Sequence, residues 1–247
     1  MFHLRRISKT IINPRQPRRA VLITSSTKRF QSASAGKSRQ GHDCPNCGTP
    51  LPTTLPTCTN VGCGYIEPIP KELRSDYYAI FGFPGVRDPE PTRNPFSIDT
   101  KALRRQFLDM QKVCHPDRWA QSGKSQAEAA VDQSAQINKA YQTLLSPRLR
   151  AEYIIAQHGI DIREADTLEN EQELMMEVME AREELENAEG EQIQKLLAAN
   201  DERLQNITAE LEDAIGKEDW QHARRLVIQL RYWESFQRAG KGMEVDH

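Results

Sequence analysis

From about residue 98 onward, apolar residues recur every three or four positions, the period of helices and not the two-residue period of strands. Leu103, Phe107, Met110 and Cys114 make one stripe of a helix that begins near Thr100 behind an Asp99 cap. Ala130, Ser134, Ile137, Tyr141 and Leu144 line one face of a second helix, and a loop of roughly ten residues between the two predicts an antiparallel hairpin. Upstream, Asp76 to Gly82 is a short apolar segment ending in glycine. Ser146-Pro147 reads as cap and first residue of a further helix. Residues 71–158 thus form a helical unit, and Gly159 opens a joint over 159–166. Residues 167–240 predict three more helices. Leu174, Val178, Ala181 and Leu185 are the buried stripe of the first. Ile193, Leu197, Leu204, Leu211 and Ile215 serve the second; the third starts near Glu218-Asp219-Trp220 and buries Ala223, Leu226, Val227 and Leu230, with Phe236 near the core. The last seven residues are expected to fray.

The positions left off these stripes carry the candidate chemistry. Lys101, Arg105 and Lys112 fall opposite the buried face of the first helix, with Arg118 just beyond. Alone, such a basic stripe reads as a solvated face. Met175, Met176 and Met179 lie off the seam of their helix, beside Glu177, Glu180, Arg182 and Glu183, and Tyr232 points away from the core on the last helix. Two readings fit these apolar residues: a protein-binding patch, or packing against the other helices.

Composition changes the picture at the N-terminus. The net charge of -2 hides an asymmetry, because residues 1–42 hold ten Lys and Arg residues and no acid. Residues 1–40 are also rich in Ser and Thr, with Phe2, Leu4, Ile7, Ile11 and Ile12 between the basic residues, which is the make-up of a mitochondrial transit peptide. Arg29-Phe30 before Gln31-Ser32 offers a processing site. A basic nucleic-acid-binding tail is the competing reading. No apolar run approaches the roughly 18 residues that span a bilayer.

Residues 41–70 hold four of the five cysteines: Cys44-Pro-Asn-Cys47-Gly, nine residues, then Cys58-Thr-Asn-Val-Gly-Cys63-Gly. Each pair can wrap one side of a tetrahedral ion, so a closed, structural zinc site is expected, with redox, disulfide and iron alternatives open. A nucleic-acid-binding knuckle fits less well, since this segment has one aromatic, Tyr65, and no Lys or Arg between Gly41 and Pro70. The knuckle is expected to stand outside the helical core, so that removing its metal barely alters the melting of the helices. The fifth cysteine, Cys114, sits on a buried stripe and reads as a core thiol. No convergent acid–base or nucleophilic set appears, so no enzyme activity of its own is expected.

At the tip of the hairpin stands His115-Pro116-Asp117, where the proline cannot continue the helix. With Asp76-Tyr77-Tyr78-x-x-Phe81-Gly82, the basic helix, and Ala140 and Leu144, this tripeptide resembles a J-domain. Arg150-Ala-Glu-Tyr153, the run Leu174 to Leu185, and Leu230-Arg-Tyr-Trp233 narrow the resemblance to the HscB-type co-chaperones. The cysteine cluster resembles the N-terminal zinc module of their animal members, with a wider second pair. The resemblance implies an all-α, L-shaped molecule: a metal knuckle, a J-domain and a C-terminal three-helix bundle. It implies that His115, Pro116, Asp117, Lys101, Arg105, Lys112 and Arg118 meet a DnaK-type chaperone and stimulate its ATPase. It further implies that Met175, Met179 and Tyr232, with Leu174, Glu180 and Glu183 around them, bind an IscU-type iron–sulfur scaffold in the mitochondrial matrix. A J-protein for unfolded clients is the nearer rival, but such proteins carry peptide-binding β domains.

Overall fold

In the computed structural model of the protein, residues 43–60, 62–86, 94–162 and 168–245 are described. The basic segment 1–40 lies outside the described residues, as do 87–93 of the Pro-rich loop and 163–167 after Ile162. The described residues are all-helical, apart from isolated bridges pairing Asp43 with Pro50 and Thr57 with Ile66. The helices are α1 (Lys71–Arg74), α2 (Tyr77–Ile80), α3 (Thr100–Cys114), α4 (Pro116–Trp119), α5 (Lys124–Leu145), α6 (Pro147–Gln157), α7 (Leu168–Glu186), α8 (Glu191–Gly216) and α9 (Trp220–Val245).

The expected caps close the helix starts. Asp99 Oδ1 accepts from the amides of Lys101 at 2.9 Å and Ala102 at 3.0 Å, Ser146 Oγ accepts from Leu149 at 3.3 Å, and Asp76 Oδ1 accepts from Ala79 at 2.9 Å. The Asp99 carboxyl is held below the usual range, first by the Ala102 amide and further by the Lys101 amide and the nearby Arg105.

α3 and α5 form the expected antiparallel hairpin. Leu103, Met110 and Cys114 of the first helix meet Ile137, Ala140 and Leu144 of the second, with Tyr78, Ile80 and Phe81 closing one end. Phe107 and Tyr141, at the edge of this core, stack at 4.1 Å between ring centres. Leu55 and Ile69 belong to the same core. The knuckle is therefore built into the hairpin unit, contrary to the expectation that it stands outside. Its own loops have too few apolar residues to close a core, so they share this one. Thr57 Oγ1 donates to the buried Gln133 Oε1 at 2.7 Å, Gln133 Nε2 donates to the Glu67 carbonyl at 2.5 Å, and the Thr54 hydroxyl donates to the Ile80 carbonyl.

A second core joins α7, α8 and α9, and its members include Ala151, Ile154 and Ile155 of α6 and Phe96 from the segment before α3. α6 thus serves both cores. Arg150 donates to the Leu144 carbonyl at 2.6 Å and lies 4.6 Å over the Phe96 ring, and Tyr153 stacks on Tyr77 at 4.6 Å and donates to Ser75 O at 2.8 Å. The Arg150–Tyr153 motif is thereby explained as a fastener of helices. Asn94 and Ser97 hold Glu212 of α8, through the carbonyl at 2.6 Å and the carboxylate at 2.7 Å. α9 continues to Val245, past the point where fraying was expected. Within it, Gly240 is buried where a Cβ would come within 2.5 Å of Leu197, so its missing side chain lets α9 close on α8.

Candidate functional site

Two exposed sites and one cysteine cluster emerge from this frame. α3 ends at Cys114 because Pro116 follows, and Pro116 then opens α4 inside the expected loop. His115 caps that turn: its Nδ1 accepts from the Asp117 amide at 3.3 Å. His115 and Asp117 are exposed and Pro116 is half-buried. Lys101, Arg105, Lys112 and Arg118 are all exposed; Lys112 lies 3.0 Å from Asp109. The sequence reading missed Arg104 and Leu108. Leu108, 46% exposed, falls in the middle of the Lys101–Arg105–Lys112 stripe, so the helical wheel held the signal. Burial pushes the Cys114 thiol up to about 11, which keeps it protonated and inert as expected of a core residue.

The second site lies on the bundle. Arg182 Nη2 donates to Ser235 Oγ at 2.8 Å, and Leu185 faces Gly240, so α7 and α9 run parallel in fixed register. That register sets Met179 level with Tyr232 and Met175 about one turn away. Met175, Met176 and Met179 are 45%, 58% and 65% exposed, and Glu180 and Glu183 are exposed beside them. Tyr232 differs from expectation: it is half-buried and packs on the bundle core, where Leu174 keeps to its expected stripe. Tyr232 is long enough to lean from the edge of its stripe into the seam. Met176, placed off the seam by the wheel but not among the expected scaffold contacts, shares this exposed face. Glu177 is tied to Arg203 of α8 at 3.4 Å, and Arg203 lies 3.8 Å over the Trp233 ring, which keeps that neighbour occupied.

The four cysteines converge. Their sulfurs all lie within 4.8 Å of one another, with Cys44 to Cys63 at 3.7 Å and Cys47 to Cys58 at 3.6 Å. A tetrahedral ion with metal–sulfur bonds of about 2.3 Å sets its sulfurs about 3.8 Å apart, so the set fits a closed four-thiolate site. Gly48, Gly62 and Gly64 have positive φ at 70°, 94° and 66°, the turns each knuckle needs. Donors surround the sulfurs: Asn46 Nδ2 lies 3.3 Å from Cys63 Sγ, and the Asn60 amide 3.4 Å from Cys58 Sγ. The Thr49 hydroxyl and amide draw the Cys47 thiol down to about 6, whereas burial pushes Cys58 up to about 12. A dication supplies the charge that ionises all four together. The residues present can hold a metal ion.

Comparison with known proteins addresses the whole arrangement. Residues 170–241 match the family described as the HSCB C-terminal oligomerisation domain. The structure of chaperone HscB from Vibrio cholerae is similar at 28% identity, over 69% of this chain and 98% of that one, with a TM-score of 0.59. A Jac1 co-chaperone clone from Saccharomyces cerevisiae is similar at 27% identity, over 68% of this chain and 92% of that one, with a TM-score of 0.51. Human co-chaperone HscB shares the fold, at 24% identity, over 83% of this chain and 100% of that one, with a TM-score of 0.65. The matched C-terminal domain on α7–α9 and the exposed His-Pro-Asp turn on the hairpin before it support an HscB-type J-domain co-chaperone.

Proposed function

We propose that this chain binds an IscU-type iron–sulfur scaffold protein, delivers it to a DnaK-type chaperone in the mitochondrial matrix, and stimulates that chaperone's ATPase. The observation that carries the reading is His115-Pro116-Asp117, presented at a helix break beside an exposed stripe of Lys101, Arg105, Lys112 and Arg118. The chain contributes no active site of its own to the hydrolysis. Asp117 offers a carboxylate to a partner arginine, Pro116 fixes the turn, and the basic stripe steers an acidic surface onto it. Met175, Met176 and Met179, with Tyr232, Leu174, Glu180 and Glu183 at their margin, form the scaffold-binding face. Joining both sites in one chain raises the local concentration of scaffold at the chaperone.

Zinc is the metal proposed for Cys44, Cys47, Cys58 and Cys63, since four thiolates at tetrahedral spacing make the closed structural site that zinc commonly takes. Residence in the matrix rests on the acid-free, Arg-rich segment before residue 43. The mature chain isolated from cells is expected to begin between about Phe30 and Gly41, as N-terminal sequencing will show.

Single-turnover ATP hydrolysis by the chaperone tests the central reading. Adding wild-type chain should accelerate it. His115→Gln should abolish the acceleration, while circular dichroism shows unchanged helix content. Full stimulation by the variant would sink the proposed mechanism.

A further inference from the structure

Trp119 follows the His-Pro-Asp turn by two residues, yet it is buried. Its indole Nε1 donates to the Val113 carbonyl at 3.0 Å, reaching back across the helix break to the last turn of α3. Its ring packs with Ala129 and Ala130 of α5 and with Ile66 of the cysteine module in one apolar cluster. Ile66 itself is held from both sides. The Cys58 amide donates to the Tyr65 carbonyl at 2.9 Å, and the Glu67 amide donates to the Pro56 carbonyl at 3.0 Å. These two bonds fix Ile66 directly against the loop that carries two of the four cysteines. At the far end of the turn, Gln126 accepts from the Gly123 amide at 2.8 Å and donates to the Gly64 carbonyl at 2.6 Å. The segment 115–123 is thus fastened to the cysteine module at two points.

A four-residue helix such as α4 has no stability of its own, so its geometry comes from these outside contacts. We propose that Trp119 is a positioning residue for the His115-Pro116-Asp117 turn, and that the metal-holding cysteine module keeps Trp119 in place through Ile66. Loss of metal then loosens the turn and weakens engagement of the chaperone, although no cysteine touches the chaperone-facing groups. This inference rests on the chaperone-activating reading above for its functional consequence, but the brace itself does not.

The test uses the full chain, with zinc and after chelation, together with Ile66→Ala, Ile66→Val and Trp119→Phe. Two quantities are read: amide hydrogen exchange along the chain, and the concentration giving half-maximal ATPase stimulation. Ile66→Ala should speed exchange in residues 115–120 by at least about tenfold while the middles of α3 and α5 stay protected. It should raise the half-stimulating concentration by about fivefold and leave the maximal rate within about twofold, because the chemistry of the turn is intact. Ile66→Val should stay near wild type. Trp119→Phe, which loses only the bond to Val113, should fall between. At residues 115–120, chelation should reproduce the Ile66→Ala change in the wild type and add little in that variant. Unchanged exchange in 115–120, or faster exchange spread evenly through α3 and α5, overturns the proposal. So does a valine variant as impaired as alanine. If wild-type chain fails to stimulate the ATPase at all, the chaperone reading falls, and the exchange measurements still decide the brace.

Discussion

The His-Pro-Asp turn and the methionine face solve opposite problems. The turn is short, polar and exposed, and its shape is imposed by buried groups from three other segments: Val113, Ala129 with Ala130, and Ile66. The methionine face needs no such scaffolding. α7 is a 19-residue helix whose register is already fixed by Arg182 and Leu185, and its exposed apolar groups are flexible thioethers. A motif that must present one charge in one direction requires a rigid surround. A surface that must fit another folded protein gains from side chains that adapt. The difference teaches where mutations should act: at the turn, on the buried braces as well as on His115 and Asp117; at the methionine face, on the exposed residues alone.

The methionine face gives the larger effect. Met175, Met176 and Met179 changed together to Ala should weaken scaffold binding at least about a hundredfold, at roughly 1 kcal/mol or more per contact residue. Calorimetric titration of the scaffold measures it. The melting temperature should barely move, because these positions are outside both cores. Tyr232→Ala should behave differently and lower the melting temperature as well, since Tyr232 packs on the bundle core. Equal scaffold affinity in the triple variant would refute this placement and leave the methionines as ordinary surface.

Metal removal comes next and sharpens the comparison, because it should reach one region and spare the other. Purified chain should hold one zinc. Chelation should lower the melting of the hairpin unit by at least about 5 °C, since Leu55 and Ile69 of the module are part of that core. Scaffold affinity should not change. Calorimetric melting with and without chelator, paired with the same scaffold titration, separates the two regions. An unshifted melt would mean that the shared core survives without the metal.

Most of the helical frame was legible in the sequence because it is written in local periodicity. The stripe from Leu103 to Cys114 and the caps at Asp99 and Ser146 are short-range signals, and each reappears as a contact. The docking of the knuckle was not legible. Thr57 meets Gln133 across 76 positions, and no period links them. The same holds for Tyr232, whose place on the wheel gave its direction from the helix axis but not the depth of the seam beside it. The His-Pro-Asp turn stood out by composition, whereas its support, Trp119 against Ile66, shows only once the fold brings 53 positions of chain together.

The smallest expected effect lies at the start of the basic helix. Asp99 caps α3 with its carboxylate, and that carboxyl is held below its ordinary range chiefly by the Ala102 amide. A carboxyl with a lowered folded-state pKa contributes stability that is fully present above its unfolded value, about 3.9, and is lost as the pH falls through the folded value. At neutral pH the cap is therefore intact, and it weakens only in acid. Asp99→Asn retains an oxygen that can accept from the Lys101 and Ala102 amides but removes the titration. The variant should be slightly less stable than wild type at pH 7, and the gap should shrink as the pH drops below about 4. The effect should be small, because Asp99 is exposed and water screens its charge. Paired urea melts across this range, followed by helical ellipticity, measure the gap. A difference that is constant with pH would mean that the cap acts through its geometry alone, and that the charge at the head of α3 does not matter to how the basic stripe is held.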